Sequence, residues 1–298
     1  MRRAPIVAAA LALAVPAASA AQTPAGIPDV AQMAVAPADL PPGATVEDEG
    51  SLPLPGYAGY YYRTFRFSRP AARRTGVKHL ESDVALLKTR PRASGEYAGL
   101  RSLYRNTSAG RSFVRLVAEF SGMTVRRVRI GAERRLAVGD GAFVVRATVT
   151  TRHGKVGMAF AGVVLDRAVA EIDAIGRARG ARLMRETRAA LAAAAERLRR
   201  GLSPVSMSPP AVSGTAKVGA VLHATAGSWG AFTKPTSFAY RWDRCDAQGA
   251  ACTALPGATQ PDYVIVDGDR SSTLRVALTA SNAVGATTVV SSPTLAIP

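Results

Sequence analysis

Residues 124–175 repeat with a period of two, and this run limits the possible folds more than any other feature. Val125, Val128 and Ile130 interleave with Arg126, Arg127 and Arg129. Gly139-Asp140-Gly141 then turns the chain into residues 143–151, Arg152 to Lys155 turns it back into 156–165, and Asp166-Arg167 leads into 168–175. Successive side chains on a strand point to opposite faces. β-prone runs joined by turn residues in this way predict an antiparallel meander.

Upstream, residues 44–49 and the aromatic run 57–67 are expected strands, and 81–89 alternates more weakly. In 57–67, Tyr61, Arg63 and Phe65 share one face and Tyr60, Tyr62 and Thr64 the other, so one face is expected to be core. Helical spacing starts at Ser94-Gly95-Glu96 with Tyr97, Leu100, Leu103 and Tyr104, and a second helix is expected over 113–120. After Gly176 and Gly180, residues 181–198 place Leu183, Thr187, Leu191, Ala194 and Leu198 on one stripe, with Arg182, Arg185 and Arg188 on another face. A basic amphipathic helix can lie on a membrane, but this stripe is small and alanine-rich, which favours packing on a sheet. The expected fold class is α+β over residues 33–200, a sheet with covering helices, followed by an all-β tail.

The N-terminus begins Met1-Arg2-Arg3, passes through an apolar stretch and reaches Ala18-Ser19-Ala20, the order of a secretory signal. The apolar run is too short for the roughly 20 residues of a membrane-spanning helix, so a mature chain without a transmembrane segment, secreted or held at the cell envelope, is expected. Residues 21–32 read as a flexible N-terminus and 201–208 as a linker, since neither is periodic.

The net charge is +17. Residues 21–204 hold thirty Lys and Arg against sixteen Asp and Glu, a net +14, and residues 205–298 hold six against five. Such a field suits an anionic cell-wall polymer or lipid surface, with no motif that reads a specific nucleic acid. Arg126, Arg127, Arg129, Arg182, Arg185 and Arg188 are the candidate anion-binding residues. The abundance of Arg, Ala, Gly and Pro also fits a GC-rich composition with no partner selected, and the favoured reading is that one.

Cys245 and Cys252 are the two cysteines. An even count in an exported chain predicts a disulfide, and six residues containing a glycine allow adjacent antiparallel strands to bring them together. Three scattered histidines, His79, His153 and His223, cannot complete a zinc site with this pair. None has a partner placed by spacing, and no nucleophile, base and acid are set out for catalysis. Asp166, Glu171 and Asp173 resemble paired carboxylates but are expected to be solvated turn and strand residues. No cofactor and no enzymatic activity are expected; an exported hydrolase with an unrecognised site in the head is the alternative.

Residues 209–298 resemble the immunoglobulin-like (fibronectin-like) domains of exported actinobacterial proteins. The resemblance lies in Pro209-Pro210, Gly227-Ser228-Trp229, Tyr240-Arg241-Trp242-Asp243-Arg244-Cys245, Cys252, Pro256-Gly257, Leu274-Arg275-Val276 and Ala280-Ser281-Asn282. It implies a seven-stranded sandwich used as a spacer or adhesion module. Phe238, Tyr240 and Trp242 on one face of a strand agree with that. Residues 39–200, through Asp39-Leu40-Pro41-Pro42-Gly43-Ala44, the Gly139-Asp140-Gly141 turn and the closing helix, are similar to small exported actinobacterial domains related in shape to the PsbP fold.

Overall fold

The computed structural model describes residues 27–177 and 180–298. The expected signal peptide, residues 1–20, and residues 21–26 of the expected flexible N-terminus lie outside the described residues. The chain divides into two compact units, Asp29–Gly201 and Leu202–Pro298.

The first unit is built on one sheet. Its strands are β1 (Ala44–Ser51), β2 (Tyr57–Phe67), β3 (Val77–Leu87), β4 (Val125–Ile130), β5 (Arg134–Leu136), β6 (Gly141–Thr151), β7 (Gly154–Leu165) and β8 (Ala168–Arg177). They are ordered β1-β2-β3-β8-β7-β6-β4, with β5 also on β6, and every pairing is antiparallel. The meander β6-β7-β8 follows the period-two run. At its entry, Gly139 has φ 61°, and a Cβ there would stand 2.6 Å from the Val164 carbonyl oxygen, so the turn requires glycine.

Two helices cover one face, α3 (Arg90–Leu103) and α4 (Ser108–Phe120), after the short helices α1 (Val30–Met33) and α2 (Arg69–Thr75). Val114 and Val117 of α4 pack with Phe143, Val145, Met158 and Phe160 in one buried cluster. The opposite face carries Gly157 and Gly176, and atoms of Leu183 lie 3.1 Å from where a Cβ would project at each. Leu183 belongs to α5 (Ala181–Leu202), whose residues Leu183, Thr187, Leu191, Ala194 and Leu198 are all fully buried. The central strands β3 and β8 are therefore covered on both faces and are buried almost throughout.

Both facing helices begin earlier than the apolar spacing suggests. Pro91 sits in the first turn of α3, where its missing N–H costs nothing. Thr107 caps α4 by accepting from the Gly110 N–H at 3.0 Å, six residues ahead of Phe113, where the expected helix begins. In β2, both faces are core: Tyr61 and Phe65 are buried on one side and Tyr60 on the other.

The second unit has a four-stranded sheet of β14 (Thr253–Ala254), β13 (Ser237–Cys245), β16 (Thr273–Ser281) and β17 (Ala286–Val290) in that order. A three-stranded sheet joins β10 (Ala211–Ser213), β11 (Val221–Thr225) and β15 (Asp262–Val264). Leu222 from the smaller sheet and Trp242, Leu274 and Val276 from the larger meet in one buried cluster. Trp242 is fully buried, and its indole N–H donates to the Gln260 carbonyl at 2.9 Å. The segment expected as a linker is bonded: β9 (Ser206–Ser208) pairs with β12 (Ser228–Trp229), and the Val205 N–H donates to Thr233 Oγ1 at 3.1 Å. Backbone hydrogen bonds hold this polar stretch, so it leaves no apolar period to read.

Candidate functional site

Two recesses in the first unit bring chemically active residues together. The first lies beside β4, the last strand on its side of the sheet path. Ser108, Arg111, Ser112 and Arg115 recur at three- and four-residue steps, which places them on one face of α4. With Arg126, Arg127 and Arg129 they line a groove of about 590 Å³. Arg115 ties helix to strand, donating from Nη1 to the Val125 carbonyl at 2.8 Å. Arg111 donates to Asn106 Oδ1 at 3.1 Å. The side chains of Arg126, Arg127 and Arg129 are exposed and, among the described residues, make no hydrogen bond or ion pair.

The other three candidate arginines lie on α5, against the opposite face of the sheet from α4. Arg182 donates to the backbone carbonyl of Arg74 at 3.2 Å, Arg185 pairs with Glu186 at 2.7 Å, and Arg188 has a buried Nε. The groove thus gathers Arg126, Arg127 and Arg129 with two arginines that the sequence reading passed over. Their signal is the polar stripe Ser108, Arg111, Ser112 and Arg115, which begins ahead of Phe113 and runs on beside the apolar residues of the helix.

The second recess, of about 510 Å³, lies between α3 and the sheet. Leu100, Leu103 and Phe113 form its apolar wall, and Tyr60, Asp83 and Glu171 form its floor. Asp83 on β3 stands directly opposite Glu171 on β8, and Glu81 opposite Asp173. All four residues are buried, from Glu81 at 2% exposed to Glu171 at 4%. Tyr60 Oη donates to Asp83 Oδ1 at 2.7 Å. Tyr104 Oη donates to Glu171 and its ring stacks on Phe160 at 4.2 Å between centroids.

Burial pushes the Asp83 carboxyl up to about 7, against the Tyr60 hydrogen bond that favours its ionised form. Burial and then the charge of Asp83 push Glu171 up to about 8. Asp173 is raised well above the carboxylate range by burial and then by Glu171. Carboxyls raised in this way keep their protons at mildly acidic pH, where a protonated carboxyl can donate as well as accept. Among the described residues, no three His, Cys, Asp or Glu side chains are placed to hold a metal ion.

The expectation of solvated carboxylates is therefore corrected for Glu171 and Asp173, because pairing of β8 with β3 encloses them. Asp166 does sit at a turn, with φ 50°, and pairs with Arg90 at 2.8 Å. The histidines have neighbours that their spacing did not reveal. His79 lies 3.5 Å from Glu47, and His223 Nδ1 lies 2.7 Å from Asp262 on the paired strand. His153 Nε2 accepts from Arg152 at 3.1 Å. Cys245 and Cys252 form a disulfide. No helix among the described residues is long and apolar enough to cross a membrane.

The fold and the two recesses define a mixed α and β chain, with antiparallel sheets, whose first unit has ligand-sized openings. No family model matches the chain, and no curated protein matches it. Among solved structures, the extracellular domain of PknH from Mycobacterium tuberculosis is similar at a TM-score of 0.27 and 12% identity. The match covers 47% of this chain and 66% of that one, so the chain spans slightly under two thirds of that neighbour's length.

Proposed function

We propose that this is an exported, cell-envelope-associated binding protein whose first unit holds an anionic polymer in the arginine groove and whose second unit is an immunoglobulin-like spacer. The observation that carries the reading is the set of three exposed, unpaired arginines on β4 facing Arg111 and Arg115 of α4. Guanidinium forks pair bidentately with phosphate and carboxylate, and the excess charge of residues 21–204 adds a long-range attraction. The signal-like N-terminus and the disulfide support export. The two sheets meeting around Trp242 support the sandwich reading.

The test is binding of the chain from residue 21 onward to a teichoic-type polyphosphate polymer and to anionic vesicles at low and physiological salt. Retention of the polymer that weakens steeply as salt rises supports the groove. Negligible retention at low salt rejects it.

An exported hydrolase is the second reading, favoured by the meeting of Asp83 and Glu171 in one recess. Glycoside cleavage uses carboxyls on both sides of the scissile bond. Asp83 and Glu171 are cross-strand neighbours on one floor, which suits holding a ligand and not flanking a bond.

A further inference from the structure

The recess under α3 has a need that the arginine groove does not meet. Asp83 is 3% exposed, lines the recess, and its Oδ2 has no hydrogen-bond partner. A buried acceptor left without a donor is costly, and buried polar atoms are nearly always satisfied. The groups facing Asp83 cannot remedy this. From β2 comes Tyr60, already committed to Oδ1, and beside it Tyr62. From β8 come Glu171 and Asp173, from α3 comes the half-buried Glu96, Tyr104 follows α3, and α4 contributes only Phe113. None of the described residues lining the recess is basic.

One side of the same recess is hydrocarbon. Leu103 is 37% exposed and lines the opening, with Leu100 and Phe113 beside it. Gly95 and Gly99 also line it from successive turns of α3, and a Cβ at either meets nothing within 4 Å. Glycine in a helix interior is less favourable than alanine. Here both glycines leave open space where they line the recess.

We propose that this recess is a binding site for a hydrophobic primary amine, with its ammonium donating to Asp83 Oδ2 and its alkyl or aryl body against Leu100, Leu103 and Phe113. An ammonium brings three donors and no acceptor, and its positive charge matches a floor whose two carboxyls, Asp83 and Glu171, have no basic residue beside them in the lining. The apolar wall with a few convergent polar groups is the usual composition of a small-molecule site, and the volume falls within the usual range. A fatty acid would bring a second anion to the same floor, and an alkanol would supply a donor without the charge.

The experiment is calorimetric titration of the chain from residue 21 onward with n-octylamine, n-octanol and octanoate. At about pH 8.5, octylammonium is expected to bind about tenfold or more tighter than octanol, with octanoate weakest. The affinity for octylammonium should rise between about pH 6 and pH 8.5, with protons released to the buffer, because the amine selects the ionised floor. Asp83→Asn keeps the shape and should lose about tenfold or more of the amine affinity while leaving octanol unchanged. Gly99→Phe fills the recess from an open position and should abolish binding of both, and it remains informative if Asp83→Asn fails to fold. Equal affinities for octanol and octylammonium, undiminished amine binding by Gly99→Phe, or no amine binding at millimolar concentration would each overturn the site. Polymer binding at the arginine groove is measured separately, and its failure leaves these outcomes untouched.

Discussion

Asp83 and Glu171 face each other directly across the β3–β8 ladder, and both are buried. In an unfolded chain such carboxyls titrate near 3.8 and 4.5; here burial pushes them up to about 7 and about 8. Between these limits the folded chain holds protons that the unfolded chain has released. Stability supplied by the raised groups is complete below the unfolded values and is lost as pH rises through the folded ones. The slope is about 1.4 kcal/mol per pH unit for each proton held. Asp83→Asn should therefore raise the melting temperature of the first unit by several degrees at about pH 8 and give a smaller gain at about pH 5. Calorimetric melts of wild type and variant across this range check it, and parallel curves would reject it.

Asp269 in the second unit is completely buried and accepts from Arg244 Nε at 2.7 Å, Tyr263 Oη at 3.0 Å and the Val266 N–H at 2.9 Å. Replacing it with alanine strands three donors. The expected loss is about 3 kcal/mol, within the range for breaking a buried charged pair. Urea unfolding of the variant measures it.

The bond between Cys245 and Cys252 closes a short loop, with a sequence separation of 7. Loop-closure entropy for that length corresponds to about 2.5 kcal/mol. Reduction, or replacement of both cysteines by alanine, should lower the unfolding midpoint of the second unit and leave the first unit's transition in place. Thiol labelling of the unreduced, unfolded chain should find no free thiol.

How much of this was visible in the sequence depends on whether burial leaves a period. The stripe Leu183 to Leu198 on α5 did so through its three- and four-residue spacing, whereas the β6–β7 hairpin was legible from the turn residues at its ends, since β7 is apolar almost throughout. Glu81, Asp83, Glu171 and Asp173 did not. Their side chains read as polar positions, and only the pairing of two strands far apart in sequence encloses them. The cores of both faces of β2 were hidden for a related reason, since tyrosines with paired hydroxyls occupy positions that look amphipathic. Arg111 lies ahead of Phe113, in the turn that Thr107 starts by capping, and Arg115 sits among the apolar residues of α4, where spacing alone does not show that it faces β4.

Substituting the groove arginines separates charge from position. Arg126→Gln with Arg129→Gln should weaken polymer binding and reduce the steepness of its salt dependence by about two in logarithmic slope. Arg182→Gln with Arg185→Gln removes the same charge from α5 and should shift binding less. Equal effects from the two pairs would indicate a diffuse field instead of a groove.

The two ends of the large sheet also bear on how copies of this chain meet. β1 carries Glu47, Asp48 and Glu49, and β4 carries Arg126, Arg127 and Arg129. Opposite charges on opposite edges would draw molecules into an open-ended row, strand against strand. Arg66 pairs with Glu47 and Arg63 with Glu49 from the neighbouring strand, so the acidic edge is neutralised from within. An arginine edge gains little by approaching an acidic strand already paired in this way, and its charges resist the edge-to-edge growth from which fibrils start.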